Sequence, residues 1–156
     1  MRQLSAQEVG NMLRVVIDTN IFVSALLSKK GIPARILAAW RERKFLVFTN
    51  EEAILEVERV LQELVATGKY VILKEDIESI LNLLRKDTIL VPGQIDTKGS
   101  IPQDPSDEKY LSIALEGEAN IIISGDKHLL DLSFYQNVSI QNARQFLDTL
   151  NAALSE

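Results

Sequence analysis

The sequence contains no cysteine and a single histidine, His128, among its 156 residues. The absence of cysteine excludes a disulfide framework, a thiolate zinc site and a cysteine nucleophile. No apolar run approaches the roughly 20 residues that a membrane-spanning helix needs. Residues 1–11 are mixed polar and lack the apolar core of a signal peptide. We therefore expect a cytoplasmic protein that does not enter membranes.

Several catalytic motifs are also absent. Neither GxxxxGKS, GxxxxGKT nor GxGxxG occurs, so the common nucleotide-binding loops are missing. No GxSxG elbow is present to carry a Ser-His-Asp hydrolase site. The net charge of −5 weakly disfavours a protein that coats duplex nucleic acid. If some of the acids hold cations, however, the remaining surface is close to neutral, so net charge does not decide the matter.

The sequence does show short β-branched runs that alternate with amphipathic helical stretches, in a chain that is 46% apolar and 25% charged. The predicted strands are 12–17, 45–48, 88–91, 121–124 and 137–140. This alternation predicts a three-layer α/β/α sandwich on a mostly parallel five-stranded sheet. We place one domain at 12–150, between a flexible N-terminal segment (1–11) and a C-terminal tail (151–156).

Two acids follow the most apolar of these strands. Asp18 ends the first strand, and Asp126 follows the fourth after Ser124 and a glycine. Acids at the carboxyl ends of buried parallel strands lie in the crevice where such sheets bind ligands. If the strands are neighbours, the two carboxylates must share a proton or a cation. The alternative is that each acid only caps a helix or turn, and the spacing leaves both open.

Further acids occur at the starts of two predicted helices. Asp104 suits an N-cap and Asp107 the third helical position, as in a capping box, and the same geometry places Asp107 beside the crevice. The helix that begins near Glu51 carries five glutamates, and periodicity does not tell which of them faces the site. The long irregular stretch 92–103 is a candidate lid or substrate-contacting loop.

Taken together and in order, these segments resemble the PIN domain, a metal-dependent nuclease fold. The segments that carry the resemblance are VIDTN at 16–20, ILEV at 54–57, DPSDEKYL at 104–111 and IISGD at 122–126. The resemblance covers about 13–142. It is strongest to the bacterial and archaeal subgroup regarded as toxins of toxin–antitoxin pairs.

The resemblance implies an acidic quartet around one or two divalent cations, with polar support beside it. The implied catalytic and metal-binding residues are Asp18, Glu56, Asp107 and Asp126. The implied supporting residues are Thr19, Asn20, Ser124 (where the family more often has threonine) and the accessory Asp104. Such oxygen ligands suit Mg²⁺ or Mn²⁺. The activity implied is that of an endoribonuclease that hydrolyses single-stranded RNA with a metal-activated water.

The basic residues and partners are less constrained by the sequence. The candidate RNA contacts are Lys29, Lys30, Arg35 and Lys127, which would otherwise be solvated charges. The resemblance also implies an antitoxin partner and a homodimer, for which the Trp40 face or the helix at 76–85 could supply the contact. The alternative reading is a catalytically silent PIN-like module that binds RNA or a protein.

Overall fold

The computed structural model describes residues 10–155, and within them one six-stranded sheet organises the chain. The strands are β1 (Arg14–Ile17), β2 (Leu46–Thr49), β3 (Ile89–Leu90), β4 (Ile121–Ile123), β5 (Phe134–Tyr135) and β6 (Val138–Gln141). Their spatial order is β3-β2-β1-β4-β6-β5, and all neighbours are parallel except β5 and β6. The predicted mostly parallel sheet is confirmed, with β5 as an additional antiparallel edge strand.

Helices connect the strands and pack on both faces of the sheet. They are α1 (Thr19–Leu27), α2 (Ile32–Arg41), α3 (Glu51–Ala66), α4 (Lys74–Lys86), α5 (Glu108–Glu116), α6 (Lys127–Leu132) and α7 (Ala143–Leu154). A short 3₁₀ turn, Pro105–Asp107, precedes α5. Since β-strand side chains alternate between faces, Val15 and Ile17 enter one core while Val16 enters the other. The three-layer α/β/α sandwich is therefore confirmed.

The central strand pair brings distant parts of the chain to one edge of the sheet. Val15 of β1 lies beside Ile121 of β4, and Ile17 lies beside Ile123. The backbone N–H of Asp18 continues this ladder and donates to the Ile123 carbonyl at 3.0 Å. The chain order reverses between these two strands, which makes their carboxyl ends a topological switch point.

The structure bears on the predicted dimer contacts and on the predicted terminal segments. Trp40 is only 2% exposed and donates its indole N–H to the Asp87 carbonyl at 3.1 Å, so it belongs to the core and cannot form a dimer contact. Of the apolar residues of α4, Ile80, Leu83 and Leu84 are buried, whereas Ile77 and Leu81 are partly buried. The final helix runs to Leu154 and so includes most of the predicted tail, whereas the predicted N-terminal segment lies outside the described residues up to residue 9. No described helix is long and apolar enough to cross a membrane.

The long loop after β3 is fastened to α5. The Glu116 carboxylate accepts the backbone N–H groups of Gly93 at 2.8 Å and Ile95 at 2.7 Å. The Ser112 hydroxyl donates to the Ile95 carbonyl at 2.7 Å, and Ile101 is buried in the smaller core. These contacts argue against the predicted lid, because a lid must detach at small cost in free energy.

Candidate metal centre

Asp18 directly follows β1 and is 2% exposed. It is the N-cap of α1, and its Oδ1 atom accepts the Asn20 backbone N–H at 2.7 Å. Its Oδ2 atom accepts the Ser124 hydroxyl. Burial raises the pKa of Asp18, and so do the charges of Asp126 and Glu56, whereas the hydrogen bonds from Ser124 and Asn20 lower it. The capping role is therefore real, but it uses one carboxylate oxygen.

Asp126 follows β4 in the corresponding way. Its Oδ1 atom caps α6 by accepting the backbone N–H of His128 at 2.8 Å and that of Leu129 at 3.4 Å. Its own N–H donates to Ser124 Oγ at 2.9 Å. Ser124 thus links the Asp126 backbone to the Asp18 carboxylate and fixes the relative position of the two acids.

Asp104 and Asp107 do not form the predicted capping box. The chain enters α5 through the 3₁₀ turn, and neither carboxylate caps a backbone N–H there. Asp104 instead accepts the Ser106 hydroxyl at 2.7 Å. Burial, followed by the charges of Asp18, Asp126 and Asp104, raises the pKa of Asp107 to about 8. The four aspartates therefore lie close enough to influence one another.

One atom of this group is unsatisfied. Asp107 Oδ2 is buried and has no hydrogen-bond partner among the residues that the structure describes. A buried acceptor without a donor is costly, and carboxylates gathered in one crevice repel each other. A hard divalent cation would relieve both costs, and the oxygen donors of Asp18, Asp107 and Asp126 are those that Mg²⁺ and Mn²⁺ prefer. The residues present thus fit a divalent cation.

Glu56 reaches the same region from α3, but its oxygens already have partners. Its Oε2 atom accepts the hydroxyls of Thr19 and Tyr110, each at 2.5 Å. Its Oε1 atom lies 2.9 Å from the Lys109 ammonium. Burial opposes ionisation of Glu56, yet these hydrogen bonds outweigh it and hold the pKa of Glu56 below its ordinary value.

Lys109 and Tyr110 are site residues that sequence reasoning missed. The Lys109 side chain is only 9% exposed and lies over the Tyr110 ring, 5.2 Å from its centroid. Burial and the charges of Asp18 and Glu56 raise the pKa of Tyr110 well above its ordinary value. The sequence did offer one signal: Lys109 lies in the first turn of a helix and directly precedes Tyr110, which faces the core. A lysine ammonium next to a buried residue needs an acidic partner.

The candidate RNA contacts lie in different surroundings. Lys29 pairs with an aspartate of α4 at 2.9 Å, and Lys127 pairs with Asp131 of its own helix at 3.0 Å. Lys30 and Arg35 are exposed. Among the four, these last two are the ones without an ion pair in the described part of the chain, so they are the better placed to meet a phosphate.

The fold and the acidic crevice are those of an α/β/α protein whose carboxylates fit a divalent cation at the switch point of a parallel sheet. Comparison with known families agrees, since a model of the PIN domain matches residues 14–128. The uncharacterized protein MJ1680 of Methanocaldococcus jannaschii is 33% identical over 121 residues, which cover 77% of this chain and 75% of that protein. The chain belongs to the PIN domain family, whose members are generally nucleases.

A solved structure supports the fold independently. The crystal structure of PAE2754 from Pyrobaculum aerophilum superposes with a TM-score of 0.57 and covers 97% of each chain. The sequence identity is 14%, so this similarity bears on the fold alone.

Proposed function

We propose that this protein is a divalent-metal-dependent endoribonuclease that hydrolyses phosphodiester bonds in single-stranded RNA. The observation that supports the proposal is the Asp107 carboxylate: its Oδ2 atom is buried without a hydrogen-bond partner among residues 10–155, and the charges of Asp18 and Asp126 help to raise its pKa. The proposed cofactor is Mg²⁺ or Mn²⁺, as one or two ions.

The proposed roles follow from the contacts of each residue. Asp18, Asp107 and Asp126 would hold the cation, which when bound polarises a phosphate and lowers the pKa of a water. Ser124 keeps Asp18 oriented through its hydroxyl. No side chain needs to act as a nucleophile, because water is the attacking group.

Glu56 completes the proposed quartet from α3. Thr19 and Tyr110 fix its Oε2 atom by hydrogen bonds. Lys109 occupies its Oε1 atom and would have to release it before that oxygen could bind a cation directly. We therefore assign Thr19, Tyr110 and Lys109 as positioning residues.

The finer features of the proposal rest on the family resemblance. These are the preference for RNA over DNA, a toxin role with an antitoxin partner, a homodimer and a cytoplasmic location. Lys30 and Arg35, which are exposed, would guide the phosphate backbone.

Cleavage of single-stranded RNA by the purified protein tests the proposal. The wild type should cut in the presence of Mn²⁺ and stop when EDTA is added, and Asp18→Asn should be inactive while still folded. Asp148→Asn, which changes an exposed acid of α7, is the matched control and should retain activity. RNA binding without cleavage by the wild type would favour the silent module. Activity that persists in Asp18→Asn would show that the site is misplaced.

A further inference from the structure

His128 lies beside two of the acids at the rim of the crevice. Its Nδ1 atom is 3.7 Å from Asp126 Oδ1 and 3.8 Å from Asp104 Oδ2. Both distances exceed those of N–H···O hydrogen bonds, so the ring is not hydrogen-bonded to either carboxylate. One ligand atom from each of the three residues lies within 4.8 Å of the others.

The two separations from His128 Nδ1 match those of ligands that share one cation. With metal–ligand bonds of about 2.1 Å, two ligands in a tetrahedral or octahedral shell are about 3 to 4.2 Å apart. A second observation is independent of the histidine: Asp107, whose carboxyl group is influenced by the charges of Asp104 and Asp126, has a buried Oδ2 atom without a hydrogen-bond partner in the part of the chain that the structure describes. Asp104 also leaves the helix start uncapped, although it occupies the N-cap position.

We propose that His128 supplies a nitrogen ligand to a cation held by Asp104 and Asp126. This inference rests on the proposed function, since it requires that the crevice binds a divalent cation. Mg²⁺ and Mn²⁺ both suit carboxylate and water ligands, but Mn²⁺ belongs to the first-row transition cations, which also accept imidazole, whereas Mg²⁺ prefers oxygen ligands alone. The centre should therefore select Mn²⁺ over Mg²⁺. This differs from the all-oxygen site that the family resemblance implies.

Electron spin-echo envelope modulation of the protein loaded with Mn²⁺ alone tests this assignment. His128 is the only histidine in the chain, so in untagged protein an imidazole ¹⁴N modulation has a single source. The wild type should show the modulation and His128→Gln should lose it. Asp131→Asn, on the exposed face of the same helix, should keep it and serves as the matched control.

Calorimetric titration with Mn²⁺ and with Mg²⁺ gives a second readout. His128→Gln should lower the ratio of Mn²⁺ to Mg²⁺ affinity about tenfold, which corresponds to about 1.4 kcal/mol. His128→Asp, which supplies an oxygen ligand instead, should regain Mn²⁺ affinity without regaining the preference.

The possible failures are distinct. If wild-type protein binds Mn²⁺ without nitrogen modulation, the role of His128 is wrong and the proposed nuclease centre stands. If wild-type protein binds neither Mn²⁺ nor Mg²⁺, the cation centre itself is wrong and both proposals fail.

Discussion

Replacing Asp107 by asparagine should stabilise the metal-free protein and abolish its response to divalent cations. The pKa of Asp107 is raised from 3.8 to about 8 by burial and by Asp18, Asp126 and Asp104. At about 1.4 kcal/mol per pKa unit, the Asp107 carboxyl lowers the folding stability at pH 7.5 by at most roughly 5 kcal/mol. Solvent screening of this partly exposed group reduces that free energy, and we expect the substitution to stabilise the protein by about 1 to 2 kcal/mol. For a domain of this size the melting temperature should rise by roughly 2 to 8 °C.

Thermal and urea unfolding, first in EDTA and then with Mn²⁺, measure both effects. The wild type should gain about 2.7 kcal/mol when free Mn²⁺ is 100 times its dissociation constant. Asp107→Asn should gain little, so the order of the two stabilities should reverse. The matched control Asp148→Asn should behave as the wild type in both conditions. A variant that is less stable than the wild type in EDTA, or that responds fully to Mn²⁺, would refute the reasoning.

Three further predictions concern proton binding, packing and the Glu56 carboxylate. In EDTA the free energy of unfolding should fall as pH rises from about 4 to about 8, because Asp107 keeps a proton in the folded protein that it releases in the unfolded chain above pH 3.8. Urea titrations at several pH values measure this slope. Gly117→Ala should destabilise by about 1 to 3 kcal/mol in thermal melts, because the new Cβ would lie 2.6 Å from Phe48 Cδ1. Lys109→Met should lower stability in EDTA but tighten Mn²⁺ binding in calorimetry, because it leaves the Glu56 charge unpaired.

Each of these predictions has a control and a contrary outcome. Asp107→Asn should flatten the pH dependence of the unfolding free energy, and an unchanged pH dependence would mean that other groups cause it. Gly125→Ala, where a Cβ meets open space, should be near neutral, and equal losses at both glycines would argue against the steric cause. Lys109→Arg keeps the positive charge and should resemble the wild type. Weaker Mn²⁺ binding by Lys109→Met would mean that the ammonium supports the site rather than competing for it.

The sheet could be predicted because its strands are unusually apolar. Val15, Val16 and Ile17 form a β-branched run that is buried on both faces, which is typical of a central parallel strand. β5 could not be predicted, since it has only the two residues Phe134 and Tyr135 and exists through its pairing with β6. Periodicity needs a longer window than two residues to indicate a strand.

Only the part of the site that lies at the carboxyl ends of strands could be predicted from the sequence. Asp18 and Asp126 could be placed in the crevice because the ends of parallel strands meet at one edge. Their quartet partners came from the family resemblance, since helical periodicity could not orient Glu56. Lys109 and Tyr110 were missed because their roles depend on the approach of α3 to the start of α5. That contact is tertiary and leaves no local pattern in the sequence.

The central claim is that carboxylates from separate segments are gathered to hold a divalent cation. Anomalous diffraction from a crystal grown with Mn²⁺ tests it most directly. The account predicts a peak about 2.0 to 2.5 Å from carboxylate oxygens of Asp18, Asp107 and Asp126. Fully occupied Mn²⁺ peaks that all lie outside the crevice, or no peak in the crevice at saturating Mn²⁺, would contradict it.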